Sequence, residues 1–271
     1  MTLLDLYDNQ IGPEGVRAIV EGLQHLRTLD LSHNAIGVEG AEAIGLAESL
    51  AGLRELRLAY NDLKDEGVEE LSLADHLTQL EILDLRHNGI EWWGAESLLE
   101  EPWLARLECL LLDVNPLGDG AAKALAKATH VTRLKKLSLR HTGFGPEGAT
   151  HLASAPHLAS LRELLLDRNP ISNDGVAALV SAPWPRLQKL VLAAAGIGDE
   201  GCVSWPPRRC SPGSPGSISA ATSSATRPCA RSLRGASTAC GSCGATTTSS
   251  APLAWPRSQQ RRTSVGWRAC T

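Results

Sequence analysis

Apolar positions in the first 201 residues follow one phrase, written eight times: Leu-x-x-Leu-x-Leu-x-x-Asn-x-Ile/Leu, with Gly six places after the Asn. The cleanest copy runs Leu26, Leu29, Leu31, Asn34, Ile36 and Gly40. Asn9, Asn34, Asn61, Asn88, Asn115 and Asn169 hold the polar slot, and Thr142 and Ala195 replace it in two copies. Successive gaps are 25, 27, 27, 27, 27, 27 and 26 residues, a period that marks stacked structural units. The Leu-x-Leu pair alternates inward and outward, as a short strand must. No single repeat can shield its own three leucines. They are buried only when neighbours stack, at about 1.5–3 kcal/mol for each side chain. The Asn ends the strand, and its amide both donates and accepts, so it can satisfy backbone groups of adjoining turns. Next come Gly12-Pro13-Glu14-Gly15, Gly37-Val38-Glu39-Gly40, Gly145-Pro146-Glu147-Gly148 and Gly198-Asp199-Glu200-Gly201. Pro and acidic residues there are helix-start signals, and segments such as Val16 to Leu23 read as one helix per repeat.

These motifs resemble the leucine-rich repeat, in the ribonuclease-inhibitor-like subclass whose repeats carry a full helix. The likeness covers residues 1 to 201. Two repeat types often alternate in that subclass. Here the residue after the Gly is Ala in repeats two, four and six (Ala41, Ala95, Ala149) and Val in repeats one, three and seven (Val16, Val68, Val176). His33, His87 and His141 recur every 54 residues, twice the basic period. Repeat five is one residue short before Gly120, and its Ala121 breaks the alternation. The resemblance implies an α/β solenoid, a horseshoe with parallel strands on the concave face and helices on the convex face. Partners of such proteins usually bind the inner face and its rims.

Both ends depart from the pattern. Met1 stands where the first Leu of a repeat belongs, so repeat one is truncated and lacks a polar cap. The expectation is a late start or a piece of a longer protein. Residues 202–271 hold no Asp, Glu or Lys, but nine Arg and six of the seven Cys. Residues 1–201 carry a net charge of −13 and the tail adds +9. An irregular low-complexity tail, rich in Arg, Ser, Ala and Cys, reads as disordered by composition. A second reading comes from the genetic code. With the third base of each codon joined to the first two of the next, Gly216 through Cys229 can encode Leu-Asp-Leu-Ser-Gly-Asn-Glu-Leu-Gly-Asp-Pro-Ala-Leu. That is a ninth repeat with its Asn at Thr222, 27 places after Ala195. On this reading, a slip of frame near codon 202 scrambled further repeats. The Cys240-Gly-Ser-Cys243 spacing then signifies no metal or redox site, and Cys229 and Cys270 supply no second ligand pair in register. The tail's arginines could hold nucleic acid by charge alone, without specificity.

Strand alternation names the inner-face residues. Asp5, Asp30, Arg57, Asp84, Leu111, Ser138, Leu165 and Val191 lie between the paired leucines. Tyr7, Ser32, Ala59, Arg86, Asp113, Arg140, Asp167 and Ala193 follow them. The next column is Asp8, His33, Tyr60, His87, Val114, His141, Arg168 and Ala194. The expected contact residues are Tyr7, Asp30, Arg57, Tyr60, Asp84, Arg86, Leu111, Asp113, Arg140, Leu165, Asp167 and Val191. Their acids would steer a basic partner, and the late apolar residues would form a contact patch. The alternative is a solvated face. Trp92 and Trp93 stand at a strand-to-helix turn, where they pack over the neighbouring turn or anchor a partner. Trp103 and Trp184 fill the return loop at the position His157 occupies elsewhere. Histidines two strands apart are roughly 10 Å from each other, too far for two to share one zinc at about 2.0–2.1 Å.

No phosphate loop, nucleophile elbow or H-x-x-x-H pair occurs. The expectation is a non-enzymatic interaction scaffold with a protein partner and no cofactor, metal or specific nucleic-acid site. The alternatives are a GTPase-activating protein of the Ran-directed leucine-rich repeat type, or the sensor portion of a larger receptor or effector. Cys109 is the only cysteine before the tail, which excludes a disulfide framework there and fits a reducing compartment. No apolar run approaches a membrane span and Met1 enters a repeat directly, so a cytoplasmic location is expected. Resequencing the gene tests the shifted reading: a one-base insertion or two-base deletion near codon 202 is expected, and an unbroken frame there leaves only the disordered-tail reading.

Overall fold

The computed structural model describes residues 2–199 and the backbone of a strand at Ser217–Ser219. The expectations for the rest of the 202–271 tail lie outside the described residues. Strands β1 (Leu3–Asp5), β2 (Thr28–Asp30), β3 (Glu55–Arg57), β4 (Ile82–Asp84), β5 (Cys109–Leu111), β6 (Lys136–Ser138), β7 (Glu163–Leu165), β8 (Lys189–Val191) and β9 (Ser217–Ser219) form one parallel sheet in chain order. Between them run helices α1 (Pro13–Gly22), α2 (Gly37–Gly45), α3 (Lys64–Ser72), α4 (Trp92–Leu99), α5 (Gly118–Lys127), α6 (Pro146–Ala153) and α7 (Ser172–Ser181). Each helix packs on the next, so the molecule is an α/β solenoid with strands on the concave side and helices on the convex side.

The register shows why the leucines repeat. Leu4, Leu29, Leu56, Leu83, Leu110, Leu137, Leu164 and Leu190 are mutual partners across successive strands. All but Leu4, on the edge strand, are buried in one continuous core. Leu31, Leu58, Leu85, Leu112, Leu139, Leu166 and Leu192 form a second buried column, and Ile36, Leu63, Ile90, Leu117, Phe144, Ile171 and Ile197 a third. Phe144, the only phenylalanine, occupies an Ile/Leu slot and is wholly buried there.

The Asn column fastens the repeats together. The Asn88 side-chain carbonyl accepts the Asn61 N–H at 2.9 Å, and its amide donates to the Leu58 carbonyl at 2.8 Å. Asn115 repeats this one turn on, accepting from the Asn88 N–H at 2.9 Å and donating to the Leu85 carbonyl at 2.9 Å. Both amides are buried, so every such bond also spares a backbone group from burial without a partner. Thr142 keeps half of this pattern: its hydroxyl donates to the Leu139 carbonyl at 2.8 Å.

A second bridge makes the helix starts alternate from repeat three onward, whereas α1 starts after the extended Gly12 and α2 opens on the left-handed Gly37, outside that alternation. Helices α4 and α6 begin after extended residues, Glu91 and Gly145, that provide no side-chain cap of their own. The preceding repeat caps them instead. The Asp65 carboxylate accepts the Glu91 N–H at 2.7 Å, and Asp119 accepts the Gly145 and Gly148 N–H groups at 2.7 and 2.9 Å. Asn173 does the same for Gly198 at 2.9 Å. The three cappers sit 54 residues apart. Their own helices, α3, α5 and α7, open on a left-handed residue, namely Lys64, Gly118 and Ser172. Repeat five follows this scheme despite Ala121. The capped helices need Gly at their third position. A Cβ on Gly94 or Gly148 would lie within 2.4 Å of the capping oxygen.

The return loops hold the expected indoles. Trp103 is buried and donates to the Ser72 carbonyl at the end of α3 at 3.0 Å. His157, in the same slot, contacts the Leu125 carbonyl at 3.0 Å, and Trp184 is likewise buried. Among the described residues, no helix is long and apolar enough to cross a membrane.

Burial raises the Asp65 carboxyl above its ordinary value, with the Glu91 and Glu66 charges adding to the rise and the two donated N–H bonds opposing it. The folded state therefore holds this proton where the unfolded chain has lost it. Asp65 favours folding below its ordinary value, and that contribution is lost as pH rises through the raised one. Asp65→Asn, the residue type that repeat seven uses at this position, is expected to raise the urea midpoint at neutral pH. The gain should vanish as pH falls through the carboxylate range. Asp119→Ala should cost about 1–2 kcal/mol in the same measurement, the usual loss for a removed helix cap.

Candidate partner-binding surface

The strands present three columns to the concave side and its rim. The outermost residue, immediately before each Asn slot, takes a left-handed conformation in all eight repeats. Asp8, His33, Tyr60, His87, Val114, His141, Arg168 and Ala194 have φ between 53° and 58°. Non-glycine residues there cost roughly 1–2 kcal/mol, offset by the turn that closes each strand onto the Asn ladder. Repeating one strained geometry at the strand spacing of about 4.8 Å aims successive side chains the same way. Planar groups then stack. The His33 and Tyr60 rings lie 4.0 Å apart at 26°, and Tyr60 and His87 lie 3.9 Å apart at 14°. Tyr7 extends the row, tilted 56° against His33 at 4.9 Å. The column is legible in the sequence, since Tyr60 occupies the slot between His33 and His87. Weighing the imidazoles alone as metal ligands misses the ring between them. Among the described residues, no three His, Cys, Asp or Glu side chains are arranged to hold a metal ion.

The expected contact residues divide into two groups. Tyr7, Arg57, Tyr60 and Arg140 are exposed, and Arg86, Leu111, Asp113, Asp167 and Val191 are half-buried. Asp30, Asp84 and Leu165 are buried, contrary to expectation, at 8, 2 and 4 % exposure. Leu165 is flanked in register by Ser138 and Val191, which stand close enough to cover it, so the expected late apolar patch shrinks to Leu111 and Val191. The two acids lie beneath arginines. Arg57 reaches Asp30 at 3.5 Å and also pairs with Glu55. Arg86 grips Asp84 through Nε at 2.8 Å and Nη2 at 2.5 Å. Arg140 meets Asp167 at 2.9 Å. Burial opposes the charge on Arg57, yet Glu55 and Asp30 outweigh it and raise its pKa. For Arg86 the bond to Asp84 is the main cause of a rise.

A further inner-face column is absent from the sequence expectation: Leu3, Thr28, Glu55, Ile82, Cys109, Lys136, Glu163 and Lys189, the first residue of each strand. The alternation that marks the second strand residue as internal marks this one as facing the concave side. Cys109 is half-buried in it, and burial raises its thiol. Trp92 and Trp93 lie away from this face, in the first turn of α4. The Trp92 ring covers Gly120 of the next repeat, where an added Cβ would meet its Cγ at 3.0 Å, yet it remains 49 % exposed. On the helix side, an open groove of about 450 Å³ between α1 and α2 is lined by Arg17, Glu21, Glu42, Leu46 and Glu48.

With this geometry, the comparisons with known proteins agree. The family described as Leucine Rich repeat matches residues 1–20, 22–45, 53–72, 76–99, 132–153 and 157–180. Among solved structures, internalin C2 from Listeria monocytogenes aligns with a TM-score of 0.53 and 23 % identity over 73 % of each chain. A chain of the yeast Rad7 and Elc1 complex aligns with a TM-score of 0.48 and 17 % identity, over 75 % of this chain and 60 % of that one. A chain of the octameric latrophilin 3, Unc5D and FLRT2 complex gives 0.42 and 20 %, over 71 % and 60 %. No curated protein matches. The chain is a leucine-rich repeat protein.

His87 sits below the ordinary histidine value of 6.5, first because of burial and then because of the Arg86, His141 and His33 charges. Its ring protons, followed by NMR against pH, should titrate with a midpoint below 6.5. Tyr60→Ala, which uncovers one imidazole face, should move that midpoint upward.

Proposed function

We propose that this chain is a non-enzymatic interaction scaffold of the ribonuclease-inhibitor-like subclass that binds a protein partner on its concave face. The observation that carries the reading is the ordered row Tyr7, His33, Tyr60 and His87 beside Arg57, Arg86 and Arg140. The tyrosine rings and the arginine side chains are exposed there, with His33 and His87 half-buried between them, and stacking and ion pairs already hold them. Such residues dominate binding energy at interfaces, and immobilising them in advance reduces the entropy lost on association. The alternation of helix starts from repeat three onward, with a helix in each repeat, supports the subclass. Leu111, Asp113, Asp167 and Val191 complete the contact surface. Trp92 serves chiefly to cover the adjoining turn, with Trp93 beside it. A free, half-buried Cys109 supports a reducing, cytoplasmic setting.

Affinity capture with the full chain tests this. A protein retained by the wild type should be lost with the concave-face variants Tyr60→Ala and Arg168→Glu, and kept with the helix-face variant Glu69→Lys. Loss confined to Glu69→Lys would move the site to the convex side. Faster GTP hydrolysis by a small GTPase in the presence of the chain would overturn the non-enzymatic reading.

A further inference from the structure

Residues 1–201 carry a net charge of −13, yet the concave face shows a partner mainly positive groups. In each of its ion pairs with arginine, the acid lies underneath. The Arg57, Arg86 and Arg140 side chains are 47, 42 and 45 % exposed, whereas those of Asp30, Glu55, Asp84 and Asp167 are 11, 18, 2 and 15 % exposed. A guanidinium carries five N–H donors in a planar fork. Asp84 takes the Nε and Nη2 edge of Arg86 and leaves the opposite edge outward. Asp167 meets Arg140 at its Nε, 2.9 Å away. Arg168 is exposed and makes no ion pair among the described residues. Asp113 is already engaged by the Ser138 hydroxyl and the Arg140 N–H, and Glu163, the other partly exposed acid on this stretch of the face, pairs with Lys189 at 3.8 Å. The unpaired acids Asp5 and Asp8 lie in repeat one.

The four arginines also form a track. Arg57 lies in β3, Arg86 two residues past β4, Arg140 two past β6 and Arg168 three past β7, so the line runs obliquely across five strands. At about 4.8 Å per strand it is roughly 19 Å long, the reach of about six residues of extended chain. The stacked rings of Tyr60 and His87 beside it turn their faces to each other and their edges outward. Ring edges are positive and the phenol is a donor, so they too favour acceptors. Nucleic-acid bases need ring faces to stack on, and both faces of Tyr60 and one of His87 are taken.

Resting on the concave-face reading above, we infer that repeats three to seven dock an extended, carboxylate-rich segment of a protein partner. Its acidic side chains are received by the outward edges of Arg57, Arg86, Arg140 and Arg168. This reverses the expectation of a basic partner, because the acids that suggested it are buried or paired.

The test is display selection of random twelve-residue peptides on the full chain, followed by measured affinities for the winners. The wild type should select peptides rich in Asp and Glu. Their affinity should fall about tenfold or more in Arg168→Glu and Arg140→Gln, and stay unchanged in Glu69→Lys. Arg168→Glu removes no internal ion pair, and an unchanged thermal melt for it separates lost binding from lost fold. Neutral or basic winners that Tyr60→Ala weakens would overturn the acidic segment and keep the concave site. Winners indifferent to every concave substitution, or no winners at all, would overturn both. Equal competition by a short single-stranded DNA would overturn the peptide in favour of any polyanion.

Discussion

Each coil of this chain has two kinds of group that it cannot satisfy alone: leucines without a second wall, and backbone N–H and C=O groups at the bend after the strand. Neighbours resolve both. The leucine columns close against the next coil, and the buried Asn amides carry hydrogen bonds across the same gap. The two requirements have one geometric solution, a stack at the strand spacing. The capping of one helix by Asp65, Asp119 or Asn173 of the coil before follows from the same proximity. So does the Gly at the third position of the capped helices, where a side chain would displace the cap.

Rigidity of the stack is what gives the concave face its chemistry. The left-handed residue before each Asn slot exists because the strand must turn at once onto the ladder. Repetition of that turn converts three planar side chains, His33, Tyr60 and His87, into a stacked row. Burial of Asp84 under Arg86 likewise depends on a sheet flat enough for a two-residue reach along one strand. A loop could carry the same residues without holding them in these positions.

Much of the fold was legible in the chain. Period, Leu spacing and the dual donor-acceptor nature of Asn predict the strands, the helices and their register, and Leu29, Leu56, Leu83 and Leu110 do form one ladder. The surface was only partly legible. Alternation says which side of the sheet Asp30, Asp84 and Leu165 face, but not how deep they lie. Depth depends on which neighbour lies above: Arg57 over Asp30, Arg86 over Asp84, Ser138 and Val191 around Leu165. Those are contacts between residues 27 or so apart or two apart, and a face assignment contains neither. The stack at Tyr60 was within reach, because its column is written in the sequence. Cross-repeat capping was less so, since Asp65 and Asp119 read equally well as ordinary helix-start acids of their own repeats.

The leucine ladder and the Asn bridges tie each coil only to those beside it, and this shapes how the molecule would respond to tension. Under tension, the elements among the described residues are held chiefly by their neighbours, so coils would come away one at a time from the free edges. A coil of 27 residues frees on the order of 90 Å of chain as it unravels. Released, it has its template waiting in the next coil. The architecture that orders the concave face would thus also act as a spring, shedding and recovering length in uniform increments.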